Sequence, residues 1–129
     1  LILHGSAASG FVKQTSGTSD YFNYGWGAAA DVWLPSMNQA GTSSTLWHSS
    51  DHGATWQSQL TIAAPLWAVW STSGGDAFVV GDQITESTDH GATWTPVATS
   101  PAILFGVSGD PATDEIWAVG TNGVIMYRP

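Results

Sequence analysis

At 129 residues the chain is long enough for one domain with a real core, and at 43% hydrophobic residues it reads as globular. Lys13 and Arg128 stand alone against ten carboxylates, for a net charge of −8. That is too few cations to grip a phosphate backbone or an anionic membrane surface, so neither nucleic acid nor membrane is expected as a partner.

Polyanionic glycans are disfavoured by the same charge, which leaves neutral sugars, cations and basic proteins. The sequence has no Cys, which removes disulfides, thiol catalysis and Cys-based zinc sites. No run of about 18 apolar residues offers a membrane-spanning helix. The chain opens on Leu1 and not on Met, which reads as the remainder of a longer polypeptide. Its richness in Ser, Thr, Gly and Trp with a single Lys fits a secreted or cell-surface bacterial protein.

In chain order, the first elements belong to an incomplete unit over residues 1–21. Ile2-Leu3-His4 reads as a strand, and Ser6-Ala7-Ala8-Ser9-Gly10 as a turn. The next unit, 22–65, opens with an inner strand at Asn23–Trp26 and a second strand at Val32–Leu34. The Gly/Ser/Thr-rich stretch Pro35–Ser44 reads as a surface loop, a default place for a partner contact. A third strand carries Leu46, and Ser49-Ser50-Asp51-His52-Gly53-Ala54-Thr55-Trp56 turns into a fourth starting at Trp56.

The unit 66–102 repeats the plan, with strands at Trp67–Trp70 and Ala77–Val80, a third carrying Ile84, and the turn Ser87-Thr88-Asp89-His90-Gly91-Ala92-Thr93-Trp94. The last unit, 103–129, gives strands at Leu104–Val107 and Ile116–Val119 and a third carrying Ile125. The two octapeptides agree at seven of eight positions and lie 38 residues apart. A period near 40 with short Val/Ile/Trp/Phe runs between Gly/Ser/Asp turns predicts an all-β chain of four-stranded antiparallel propeller blades. About three blade lengths are present, and propellers usually close with four to eight blades. The ring is therefore expected to be completed by missing sequence or by another copy, with a six-bladed homodimer as the simplest self-association.

Within each octapeptide, Asp51 and Asp89 are expected to accept hydrogen bonds from turn N–H groups. Gly53 and Gly91 supply a positive φ. Ser49, Thr55, Ser87 and Thr93 tie the same turn, and Trp56 and Trp94 bury a ring between sheets. These octapeptides resemble the BNR/Asp-box repeat of β-propellers. The string Gln14–Thr18 with Tyr24–Gly27 and Asp31–Trp33 looks most like the photosystem-assembly-type and secreted bacterial members.

The family includes sialidases, glycoside hydrolases, photosystem II assembly factors, sorting receptors and lectins, so the resemblance implies a fold and leaves function open. Sialidases of this kind hold the substrate carboxylate with three arginines, and this chain has one. The arginine-rich patch of the photosystem-assembly members is likewise beyond its reach.

A glycoside hydrolase needs two carboxylates about 5–10 Å apart across a sugar. Asp31, Asp76 and Glu115 recur once per unit, which reads as scaffold, and Asp82, Glu86, Asp110 and Asp114 show no pairing signature. No metal or other cofactor is expected. His48, His52 and His90 lie in or near turns, and Asp110–Glu115 lacks the alternating acids and central Gly of a calcium loop.

Trp33, Trp56, Trp94 and Trp117 occupy repeated positions and are expected in the core. Trp26, Trp47, Trp67 and Trp70 are less regular. With Asn23 and Asp82 they form the candidate ligand-binding set for a neutral sugar stacked on aromatic faces. The leading expectation is a non-enzymatic structural or protein-interaction propeller. Lectin-like binding of neutral carbohydrate between blades is the alternative, and glycoside hydrolysis is a distant third.

Overall fold

The structure is a computed structural model that describes residues 1–8 and 10–129. Among these the chain runs as β-strands joined by tight turns, with a single 3₁₀ turn at Thr121–Gly123 and no α-helix. Strands β1 (Ile2–Ser6) and β2 (Gly10–Gln14) form a two-stranded antiparallel hairpin, with Ile2 opposite Gln14. The turn expected at Ser6–Gly10 contains Ser9, which lies outside the described residues.

The first blade holds β3 (Tyr21–Phe22), β4 (Trp26–Ala28), β5 (Asp31–Met37), β6 (Ser44–Ser49) and β7 (Gln57–Ile62). Its order is β3-β5-β6-β7, with β4 also paired to β5. The second blade is a four-stranded meander of β8 (Leu66–Ser71), β9 (Ala77–Gly81), β10 (Gln83–Ser87) and β11 (Thr95–Thr99). The third shows β12 (Leu104–Asp110), β13 (Glu115–Gly120) and β14 (Ile125–Arg128). These blades do not close a ring.

Each blade is apolar on both faces, because a strand's alternate residues serve the two neighbouring blades. Ala77 and Val79 of β9 join Trp33, Leu46, Leu66 and Val69 in one core between the first and second blades. Phe78 and Val80 join Trp70, Leu104, Ile116 and Ala118 in a second core between the second and third. All of β9 is buried, as a strand sandwiched on both sides must be.

The same irregularities recur in successive blades. The inner pairing shifts register at Leu66/Ala68 and at Leu104/Gly106, and the outer pairing at Leu46/Trp47 and Ile84/Thr85. Such bulges add twist at fixed places, which aims each blade at the next.

Several sequence expectations are corrected. The inner strand expected at Asn23–Trp26 is split. Asn23 N–H donates to Pro35 O, while Tyr24 turns to the neighbouring blade, donating to Trp67 O at 3.0 Å and accepting from Val69 N–H at 3.3 Å. The surface loop expected at Pro35–Ser44 shrinks to residues 38–43. Pro35, Ser36 and Ser44 are fully buried strand residues, and Ser44 Oγ accepts the Leu66 N–H of the next blade at 3.0 Å.

Pro35 has no N–H to give the ladder, but it sits opposite Leu46 and its carbonyl still accepts the Asn23 N–H at 2.8 Å. The fourth strands begin one residue later than expected, at Gln57 and Thr95. Trp117, expected in the core, is 47% exposed, because the face it occupies has no blade against it among the described residues.

Candidate functional site

The two octapeptides form turns with the same Asp, Ser and Thr hydrogen bonds. Asp51 Oδ1 accepts from Thr55 N–H at 2.8 Å and from the Ser49 hydroxyl at 2.7 Å, and its Oδ2 accepts from the Thr55 hydroxyl at 2.7 Å. Asp89 repeats the set with Thr93 and Ser87 at 2.8, 2.9 and 2.6 Å. The Ser49 and Ser87 hydroxyls accept the N–H of Gly53 and Gly91, each at 2.8 Å.

Ionised carboxylates gain most from such donors. The Thr55 hydroxyl, then the Thr55 N–H and the Ser49 hydroxyl, hold Asp51 down from 3.8 to about 2. The equivalent Thr93 and Ser87 contacts lower Asp89. Gly53 and Gly91 take φ of +84° and +83° as expected, and His52 and His90 join them in the left-handed region at +58° and +56°.

That second positive φ was not legible, since a histidine gives no glycine-like signal. His52 N–H donates to Ala30 O and His90 N–H to Gly75 O, tying each octapeptide to the first turn of its own blade.

A second repeating constellation lies across the second and third strands. In the first blade Asp31 Oδ1 meets His48 Nε2 at 2.7 Å, and the His48 ring stacks on Trp33 at 3.8 Å. In the third blade the Tyr127 hydroxyl donates to Glu115 Oε1 at 2.7 Å, and its ring lies 4.3 Å from Trp117. The Glu115 carboxylate raises the Tyr127 phenol above its ordinary value.

The second blade has Glu86 at this place, beside Phe78. A cation from the next blade takes the role: Arg128 donates to Glu86 at 3.0 Å and its guanidinium lies 4.6 Å over the Phe78 ring. The recurrence of Asp31, Asp76 and Glu115 was readable; the cross-strand partners of Asp31 and Glu115 were not, because register is needed to find them.

The candidate ligand-binding residues do not converge. Asn23 donates its side-chain N–H to Leu66 O at 2.7 Å, and Trp26, 42% exposed, donates to Ser71 O at 2.9 Å. Both contacts stitch the first blade to the second. Trp47 donates to Ser36 Oγ at 3.0 Å, within its own blade. Trp67 packs edge-on to Phe105 with its buried Nε1 lacking a partner. Trp70 is 3% exposed and wedged against Gly109, where a Cβ would lie 2.7 Å from the ring, and it reaches open space only at the wall of a small cavity between the second and third blades. Asp82 is exposed in the turn between β9 and β10.

Two cavities lie between the second and third blades. One of about 260 Å³ is apolar and lined by Phe78, Ile84, Val97, Met126 and Tyr127 among others. The other, of about 170 Å³, is polar and includes Asp76, Glu86, Asp114 and Arg128. Among the described residues no group of three His, Asp or Glu is placed to hold a metal ion.

Among solved structures, the chain is similar to YCF48 from Cyanidioschyzon merolae, with a TM-score of 0.58 at 21% identity. The match covers 84% of this chain and 36% of that one, so the chain spans about a third of its structural neighbour. The likeness shows a β-propeller fold. No protein-family model matches the chain, and no curated protein matches it.

Proposed function

We propose that the chain is part of a non-catalytic β-propeller of the BNR/Asp-box kind, acting outside the cell as a structural or protein-interaction scaffold. The observation that carries this reading is that six of its ten carboxylates are engaged in side-chain contacts. Asp51 and Asp89 are held within turns, Asp31 by His48, Glu115 by Tyr127, Glu86 by Arg128, and Asp20 by the Ser36 hydroxyl at 3.1 Å. Carboxylates spent on cross-strand and turn contacts are poorly placed to act as the acid and nucleophile of a hydrolase. The net charge of −8 makes a basic protein surface the natural partner.

Lectin-like binding of neutral carbohydrate is the second reading. It is favoured by the partly exposed ring of Trp26 beside the exposed Tyr24. A screen of neutral glycans read by tryptophan fluorescence, run beside aryl-glycoside turnover, separates the readings. The scaffold reading expects silence in both from protein with a native circular-dichroism spectrum. Saturable quenching abolished by Trp26→Ala would transfer the case to the lectin, and turnover abolished by Asp82→Asn or Glu86→Gln would transfer it to the hydrolase.

A further inference from the structure

We infer that the Asn122–Gly123 turn is a site of self-modification, where the folded chain converts Asn122 to aspartyl and isoaspartyl residues at a rate set by opening of the turn. The reaction needs only water. The Gly123 nitrogen, having lost its proton to solvent, attacks Asn122 Cγ. The N–Cγ bond forms, the Cγ–Nδ2 bond breaks, and ammonia leaves behind a cyclic imide that joins the two residues. Water then opens the imide at one of its two carbonyls. Breaking the bond to Cγ gives the aspartyl residue. Breaking the bond to the main-chain carbonyl gives the isoaspartyl residue, whose chain continues through Cγ.

The structure separates the three asparagines of the chain. Attack is easiest when the following residue has no side chain, and Asn122 alone precedes a glycine; Asn23 precedes Tyr24 and Asn38 precedes Gln39. Attack also needs a carboxamide free to turn. Asn23 Nδ2 donates to Leu66 O at 2.7 Å. Asn38 is held at both ends: its Oδ1 accepts the N–H of Thr42 at 2.9 Å and of Ser43 at 3.3 Å, and its Nδ2 donates to the Thr42 hydroxyl at 3.0 Å. Asn122 is exposed, and among the described residues no hydrogen bond holds its carboxamide.

The same turn holds the reaction back. Asn122 lies at φ 57° and ψ 24° and Gly123 at φ 72°, the two left-handed residues of a type I′ hairpin turn. At that ψ the Asn122 Cβ points away from the Gly123 nitrogen, so Cγ cannot reach it. Ring closure requires ψ to swing far out of the left-handed well. That motion breaks the bonds that define the turn, Val124 N–H to Thr121 O and Gly120 N–H to Val124 O, each 3.1 Å. Conversion therefore draws on the chains whose β13–β14 tip is open, and loop tips are where local opening concentrates. The aspartyl product suits left-handed backbone and adds a charge to a chain already at −8. The isoaspartyl product lengthens the main chain by one carbon, which a two-residue turn does not accommodate.

The test is prolonged incubation of the purified chain at mildly alkaline pH, once with a native circular-dichroism spectrum and once unfolded in concentrated urea. Peptide mapping by mass follows each asparagine, with Asn122→Asp as the standard for the aspartyl product. The native chain is expected to gain one mass unit at Asn122 before Asn23 or Asn38 changes, as two separable isomers. The unfolded chain is expected to convert Asn122 several-fold faster. Three results overturn the inference: Asn122 intact in the native chain after the unfolded chain has converted, Asn23 or Asn38 converting first, or equal rates in the native and unfolded chains.

Discussion

The residue that concentrates the most local chemistry is Asp51. It sits on the surface, yet two hydroxyls and a backbone N–H converge on its carboxylate, and they hold it at about 2 against an ordinary 3.8. A group whose folded-state pKa is depressed stabilises the fold fully above its unfolded value and loses that contribution as pH falls through the folded one. The window here runs from near 3.8 down to about 2. Chemical denaturation followed across that range is expected to show stability falling with acid. Asp51→Asn should flatten the fall while lowering the plateau near neutrality. An unchanged acid limb in the variant would mean that other carboxylates dominate it. Asp89 shares the contacts and the direction of shift, so the double variant is expected to flatten the limb further.

At the scale of the element, identical sequences acquire different duties from what lies beside them. The octapeptide turns share the hydrogen bonds of their Asp, Ser and Thr and the positive φ of their Gly, and this much followed from Asp, Gly and Thr at fixed spacing. Their surroundings did not. A Cβ at Gly53 would meet only Trp56, at 3.4 Å, whereas one at Gly91 would lie 2.4 Å from the Trp33 ring of the preceding blade.

Gly53→Ala is therefore expected to cost about 1–2 kcal/mol, the ordinary penalty for an L residue in left-handed backbone. Gly91→Ala should cost clearly more, since Trp33 must also move. Urea midpoints of the two variants measure the difference, and equal shifts would show that the contact between blades yields freely. The same physics explains what was misread. Pro35–Ser44 looks like a loop by composition, but small buried residues such as Ser36 and Ser44 are what a crowded blade interface admits. Trp117 looks like core by its column, but burial depends on a neighbouring blade and not on the residue itself.

At the scale of the whole molecule, stability in a repeat array is close to a sum of blade terms and nearest-neighbour interfaces. The three blades are unequal in this respect. Among the described residues the second is covered on both faces, the first and third each on one, and the hairpin on neither. The blade count and the strand order within each blade were legible because the octapeptide and its flanking apolar columns repeat. That three blades leave an apolar blade face bare followed from the count as well; which side chains lie on it did not, because that arises from adjacency in space.

The inequality of the blades predicts a gradient in backbone amide exchange. Amides of β8, β9 and β10 should exchange slowest, near the rate set by global unfolding, those of β5 and β13 faster, and those of β1 and β2 with little protection. Mass-resolved hydrogen exchange at low protein concentration reads this directly. Uniform protection from hairpin to third blade would instead require a single cooperative unit, with the blade interfaces stronger than their burial indicates.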